Sequence, residues 1–248
     1  MKPDLLVLMP LRSEPSPQTA LALAENMDGI DYRLLSVVGK PVDEARNELA
    51  CRVAADGSLS GTLCIWIDDD CYWCAGSLKL MMETFAKHSF DVLTAYFGPR
   101  APFSTPLCML RPNDPSSAPR ENRDFRFGEI VPIASASMNF AMHSASLLRD
   151  LGDEPFSPLP GSLGEDHSFF ERVRLHGGRC ALASGIVVAH CEDNLAFVPA
   201  RRPFEVVANR LVPIDDGRTD AEIARDFKEK NVRRSYGPEI DKLCPEGR

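Results

Sequence analysis

The sequence predicts an α/β protein with a mostly parallel sheet and helices on both faces, and three observations carry this. Apolar runs the length of a buried strand recur at "DLLVLMP", "TLCIWI" and "FDVLTAYF". Between them lie segments with apolar residues at helical spacing, such as Ala45, Leu49 and Val53. Strand and helix therefore alternate, which sets successive strands side by side with the connecting helices packed over the sheet.

Taken in order, "DLLVLMP" is the first strand. The helix "SPQTALALAENMDG" follows, with Pro17 early and Gly29 past its end. "YRLLSVVG" is the second strand, and "PVDEARNELACRVAADG" is a helix closed by Gly57. "TLCIWI" is the third strand. Leu78, Met81, Met82 and Phe85 mark a further helix, after which "FDVLTAYF" returns to the sheet. Residues 99–127 are rich in proline, serine and charge and read as a long loop with a short strand at "LCML". A loop of that length is expected to close over a bound ligand. "ASASMNFAMHSASLLRDLG" reads as a strand running into Phe140 and a short helix capped by Ser144. "GEDHSFFERVRLHGG" is a helix, and "RCALASGIVVAH" is a strand. In the tail, Thr219 and Glu222 form a capping box before "IARDF". No repeat or composition break divides the chain. Residues 1–193 read as one domain, with 194–248 an extension packed on it.

Bulk properties exclude some functions. A net charge of −8 over 248 residues disfavours a protein that coats nucleic acid through a basic surface. The N-terminal apolar run, bounded by Asp4 and Arg12, is too short for a signal core or a membrane span. The chain reads as soluble and cytoplasmic, and its 8 cysteines as reduced thiols. Cys71 and Cys74 form a C-x-x-C pair, but no second pair or nearby histidine pair completes a zinc site. They read as small half-buried residues.

The chemistry concentrates in "TLCIWIDDDCYW". A buried strand runs into Asp68, Asp69 and Asp70, whose like charges require compensation. In an extended strand Asp68 and Asp70 point one way and Asp69 the other. Ligands of open α/β sheets bind outside the carboxyl ends of the strands. Two carboxylates there form a hard oxygen site suited to Mg²⁺ or Mn²⁺ holding a diphosphate, though strand-end acids are also common as solvated loop residues. Glu165 and Asp166 open a helix, where the dipole favours ionised acids whether or not they act in catalysis.

A strand ending in "DDD", preceded by the "LLVLMPLR" strand and the "EARNELA" helix, resembles the glycosyltransferases of the GT-A fold. "GEDHSFFERVRLHGG" and then "GIVVAH" continue the resemblance in the same order, over roughly residues 4–193. The resemblance implies a Rossmann-like sheet and transfer of a sugar, with inversion, from a nucleoside-diphosphate sugar, UDP-sugar foremost, to a hydroxyl on a glycan, protein or modified DNA base. It implies that Asp70, with Asp68 and His190, holds Mn²⁺ or Mg²⁺. Asp68 would also face the ribose or donor sugar, with Asp69 beside the donor. Pro10, Leu11 and Arg12 would lie against the base and ribose, and Arg46 near the base or diphosphate. The catalytic base would be Asp166 or, one residue back, Glu165.

Other residues carry weaker expectations. Trp66 reads as core and Trp73 as a border of the sugar site. Ser137 or Asn139 would be polar to the donor pocket, and His167 and His176 are structural or exposed. Two other functions compete. A sugar-phosphate nucleotidyltransferase has a similar sheet, but "MPLRSEPSP" lacks the glycines of its loop. An inactive sugar-nucleotide-binding protein is the other, against which the retained Asp68, Asp70 and Asp166 argue.

Overall fold

A computed structural model describes residues 3–97, 128–160, 162 and 164–192, and the backbone of short strands in the remainder. The strands are β1 (Leu5–Leu11), β2 (Tyr32–Val38), β3 (Leu63–Ile67), β4 (Cys71–Tyr72), β5 (Val92–Phe97), β6 (Met109–Leu110) and β7 (Arg120–Glu121). They continue with β8 (Ile130–Ile133), β9 (Phe140–Ser144), β10 (Cys180–Glu192), β11 (Leu195–Phe197), β12 (Phe204–Val207) and β13 (Arg210–Pro213). The helices are α1 (Pro17–Asn26), α2 (Val42–Ala55), α3 (Ser77–Lys87), α4 (Ala145–Leu151) and α5 (Glu165–Leu175).

The main sheet has the order β11-β10-β5-β9-β3-β1-β2, with β4 and β8 also pairing β10. Strands β2, β1 and β3 are parallel neighbours, as are β5 and β10. Strand β9 lies between β3 and β5, antiparallel to both, so β3 and β5 also share a direction. The principal strands thus run one way, as alternation requires, with β9 reversed among them. The sequence places a strand leading into Phe140; the strand instead begins there and ends at Ser144.

Side-chain alternation along the buried strands divides the core into two layers. Leu6 and Leu8 of β1 and Cys64 and Trp66 of β3 pack with Leu49 and Val53 of α2, Leu148 of α4 and Phe169 of α5. Leu5, Val7 and Met9, with Ile65 and Ile67, face the other way onto Ala22 of α1 and Leu78 and Met81 of α3. Helices therefore cover both faces, and apolar runs without alternating polarity are what such strands need. Strand β2 forms the sheet edge, and Tyr32, Leu34 and Val38 are exposed on it.

Local signals position the helix ends. Ser16 caps α1 by accepting from the Thr19 N–H at 3.1 Å. After α5 the chain passes so close beneath the helix that a Cβ at Gly178 would lie 2.6 Å from Val173 Cγ1. Within residues 99–127, the strand expected at "LCML" is present as Met109–Leu110, and the loop expected to close over a ligand lies otherwise outside the described residues. The capping box at Thr219 and Glu222, and most of the 194–248 extension, lie outside them too. No described helix is long and apolar enough to cross a membrane.

Candidate active site

Strands β1, β2 and β3 end side by side, and a cleft opens where they end. Pro10, Leu11 and Arg12 come from the end of β1, Asp68, Asp69 and Asp70 follow β3, Arg46 projects from α2, and Glu165 and Asp166 open α5. Every residue expected to act as base, hold the nucleotide or bind the metal lines this one cleft, apart from His190, whose side chain lies outside the described residues, whereas Trp73, Ser137 and Asn139 are not among the lining residues. The register of β10 against β4 does set His190 opposite Cys71, one residue past Asp70.

The acids do not follow the alternation of an extended strand. Strand β3 ends at Ile67 and the chain turns through Asp69 and Asp70, so the side-chain period of two no longer applies. Asp69 and Asp70 share one cation: Arg12 Nη2 lies 3.2 Å from Asp69 Oδ1 and 2.6 Å from Asp70 Oδ2. The Arg12 backbone N–H also donates to Asp69 Oδ2 at 2.8 Å. The hydrogen bond to Asp69 raises the Arg12 pKa further, which fixes its charge.

Asp68 turns to Arg46 instead. Arg46 Nη2 donates to Asp68 Oδ1 at 2.8 Å, and Nη1 to Glu165 Oε1 at 3.0 Å and to Asp166 Oδ1. Burial opposes the Arg46 charge, but Asp166, Asp68 and Glu165 outweigh it and raise its pKa. Burial raises the pKa of both Asp68 and Asp166, while Arg46 pulls each back down. Ser137 Oγ donates to the other oxygen of Asp166 at 3.3 Å.

A buried hydroxyl holds the acid turn from behind. Thr19 Oγ1 accepts the Cys71 N–H at 2.9 Å and lies 2.7 Å from the Cys71 carbonyl and 3.1 Å from that of Asp69. The Ser16 N–H donates to the Asp69 carbonyl at 2.7 Å, and the Cys191 N–H to the Asp70 carbonyl at 2.7 Å. The turn is thus fixed by α1 on one side and β10 on the other.

Some residues belong elsewhere. Trp73, expected to border the sugar site, is fully buried against Phe140, with ring centroids 5.1 Å apart. Its indole fills the core layer of α1 and α3, where burying so large an apolar surface is most favourable. Cys71 and Cys74 are buried and in no disulfide, and burial pushes the Cys71 thiol well up, so it stays protonated. Asn139 is buried, and its carbonyl accepts from the Asp68 N–H at 3.3 Å. Lys40 and Val42 line the cleft and are absent from the residues expected. Lys40 lies two residues past the end of β2, and the rule that ligands sit beyond carboxyl strand ends could have found it.

The donor set tests what the cleft can hold. Hard carboxylate oxygens of Asp68 and Asp70 suit Mg²⁺ or Mn²⁺, and one or two carboxylates suffice when substrate phosphates complete the shell. Five carboxylates line the cleft against Arg12, Arg46 and Lys40, so a cation is electrostatically favoured. Among the described residues no group of three or more His, Cys, Asp or Glu side chains is gathered to hold a metal by itself. The residues fit a metal shared with a ligand, rather than a closed protein cage.

The fold and site define an α/β protein with a Rossmann-like sheet and an acidic cleft at its carboxyl edge. In structure the chain is similar to A197 from STIV, with a TM-score of 0.58 and 17% identity over 87% of this chain and 95% of that one, which shows a shared fold. It is also similar to GalNAc-T7 solved with UDP, GalNAc and Mn²⁺, at a TM-score of 0.48 and 11% identity, over 77% of this chain and 45% of that one. No protein-family profile and no curated protein matches the sequence.

Proposed function

We propose that the protein is a metal-dependent, inverting glycosyltransferase of the GT-A kind that moves a sugar from a nucleoside-diphosphate sugar, UDP-sugar foremost, to a hydroxyl acceptor. The observation that carries this is the convergence of Asp68, Asp69 and Asp70 with Glu165 and Asp166 in one cleft at the carboxyl ends of parallel strands. Pro10 and Leu11 give that cleft an apolar wall for a base and ribose, and Arg12 gives it an exposed cation.

Asp68 and Asp70, with His190 as a further ligand, would hold Mn²⁺ or Mg²⁺. When bound, the metal neutralises charge that develops on the diphosphate leaving group. Asp166 receives the acceptor hydroxyl's proton as that oxygen attacks the anomeric carbon. One Asp166 oxygen is held by Arg46, which orients the carboxylate. The other accepts from Ser137 Oγ at 3.3 Å, a long contact that an acceptor hydroxyl can displace, and the Met138 backbone N–H also holds the carboxylate. Burial makes Asp166 more basic than an exposed aspartate, which favours this role. Glu165, with Oε1 on the same guanidinium, is the alternative base.

Thermal unfolding with UDP, GDP, CDP and TDP, each with and without Mn²⁺, tests the reading, since a ligand of the folded state raises Tm. A Mn²⁺-dependent rise with one nucleotide is expected, followed by release of that nucleotide from its sugar conjugate. No rise with any nucleotide in the presence of Mn²⁺ overturns it.

A further inference from the structure

Arg46 leaves α2 and ends with its guanidinium sealed beneath the cleft, its side chain 1% exposed. The acids it holds are open on their other side: Asp68, Glu165 and Asp166 are 25%, 23% and 20% exposed. The planar fork reaches two separate elements at once, Nη2 taking the acid after β3 and Nη1 the pair opening α5. The Phe156 ring covers the guanidinium, its centroid 5.8 Å from Cζ. Nε is buried with no hydrogen-bond partner among the described residues, so all of this group's bonding is directed at the acids.

A buried cation arranged this way competes with any cation that arrives from solvent. Both draw on the same carboxylate charge, one from below and one from the cleft. Lys40, the other basic group near the α2 end of the cleft, pairs with Glu48 at 2.7 Å and not with these acids.

We propose that Arg46 is a resident counter-cation and positioning residue, which offsets part of the charge of Asp68, Glu165 and Asp166 and thereby limits how strongly the cleft draws in a divalent cation. This rests on the metal-binding reading of Asp68 and Asp70. It assigns Arg46 to the acids and not to the nucleotide. The fork geometry ties the acid that faces the metal to the base, so both are oriented by one side chain.

The test is the rise in Tm on adding Mn²⁺ alone to the parent protein, Arg46→Gln and Arg46→Lys. Removing the charge should leave the acids under-neutralised, so Arg46→Gln should gain at least twice the parent's rise. Arg46→Lys, which keeps the charge, should gain no more than the parent. A shift in Arg46→Gln no larger than the parent's, or one matched by Arg46→Lys, overturns the inference. Should Arg46→Gln lack a folded state without metal, far-UV circular dichroism takes the place of Tm. Folding on addition of Mn²⁺ then supports the inference, and failure to fold at a Mn²⁺ concentration that stabilises the parent overturns it. A parent that ignores Mn²⁺ alone beside an Arg46→Gln that responds would uphold the role of Arg46, and the metal-dependent function then stands or falls by the nucleotide series with and without Mn²⁺. Silence in both would overturn the inference.

Discussion

The indole N–H of Trp66 donates to His143 Nε2 at 2.7 Å, in the core beneath the acid turn. Because indole nitrogen only donates, Nε2 must accept, and Nδ1 carries the proton that bonds the Ser144 carbonyl at 2.8 Å. The neutral ring is thereby satisfied at both nitrogens, and a second proton would face the Trp66 N–H.

A pH dependence of stability follows. Burial pushes the His143 pKa down to about 4, against a smaller opposing effect from the Ser144 carbonyl. The unfolded ring binds a proton near pH 6.5 and the folded ring does not, so the contribution is full above that pH and lost as pH falls towards 4. About 3 kcal/mol should be lost across that window. Urea unfolding at a series of pH values should show this slope in the parent and not in His143→Gln.

Thr19→Val should loosen the acid turn. The change keeps the shape but leaves the buried Cys71 N–H without its acceptor, which costs roughly 1–3 kcal/mol. Urea unfolding measures that loss. Mn²⁺ affinity should fall with it, because Asp69 and Asp70 are positioned by this turn.

Asp70→Asn keeps the size of the side chain and removes one charge from the proposed metal pair. Calorimetry should find that nucleotide affinity no longer depends on Mn²⁺. Affinity and Mn²⁺ dependence equal to the parent's would remove Asp70 from the metal site.

Asp166→Asn separates catalysis from binding. As the base, its loss should lower kcat by roughly 10²–10⁴ and leave donor affinity close to the parent's. Glu165→Gln is the control: full turnover in Asp166→Asn with loss in Glu165→Gln would place the base at Glu165. Full turnover in both would remove the inverting mechanism.

Much of the fold was legible because doubly buried strands need unbroken apolar runs, as in "LLVLMPL" and "VLTAYF", and the helices between them show their periodicity. The reversal of β9 was not legible. "FAMHS" is buried on both faces, and that pattern is the same whichever way the strand runs. Strands β4, β8 and β11 are short pieces without a usable period. Within the site, the acids of the triplet and α5 stood out in the sequence and do share one cleft, but their partners were not legible. Arg12 meets Asp69 across 57 residues and Thr19 meets Cys71 across 52, and no local pattern encodes such contacts. Trp73 was misread because nearness to the acids in sequence says nothing about which face of the sheet a side chain joins.

The acid turn is bound by Ser16 and Thr19 from near the N-terminus and by Cys191 from the far end of β10, while Arg46 reaches Asp166 across 120 residues. Contacts so distant along the chain form late, after the loops between them have closed. The cleft therefore depends on contacts from three distant parts of the chain at once. During refolding, the Mn²⁺ and nucleotide binding proposed above should therefore return only after helical signal has recovered.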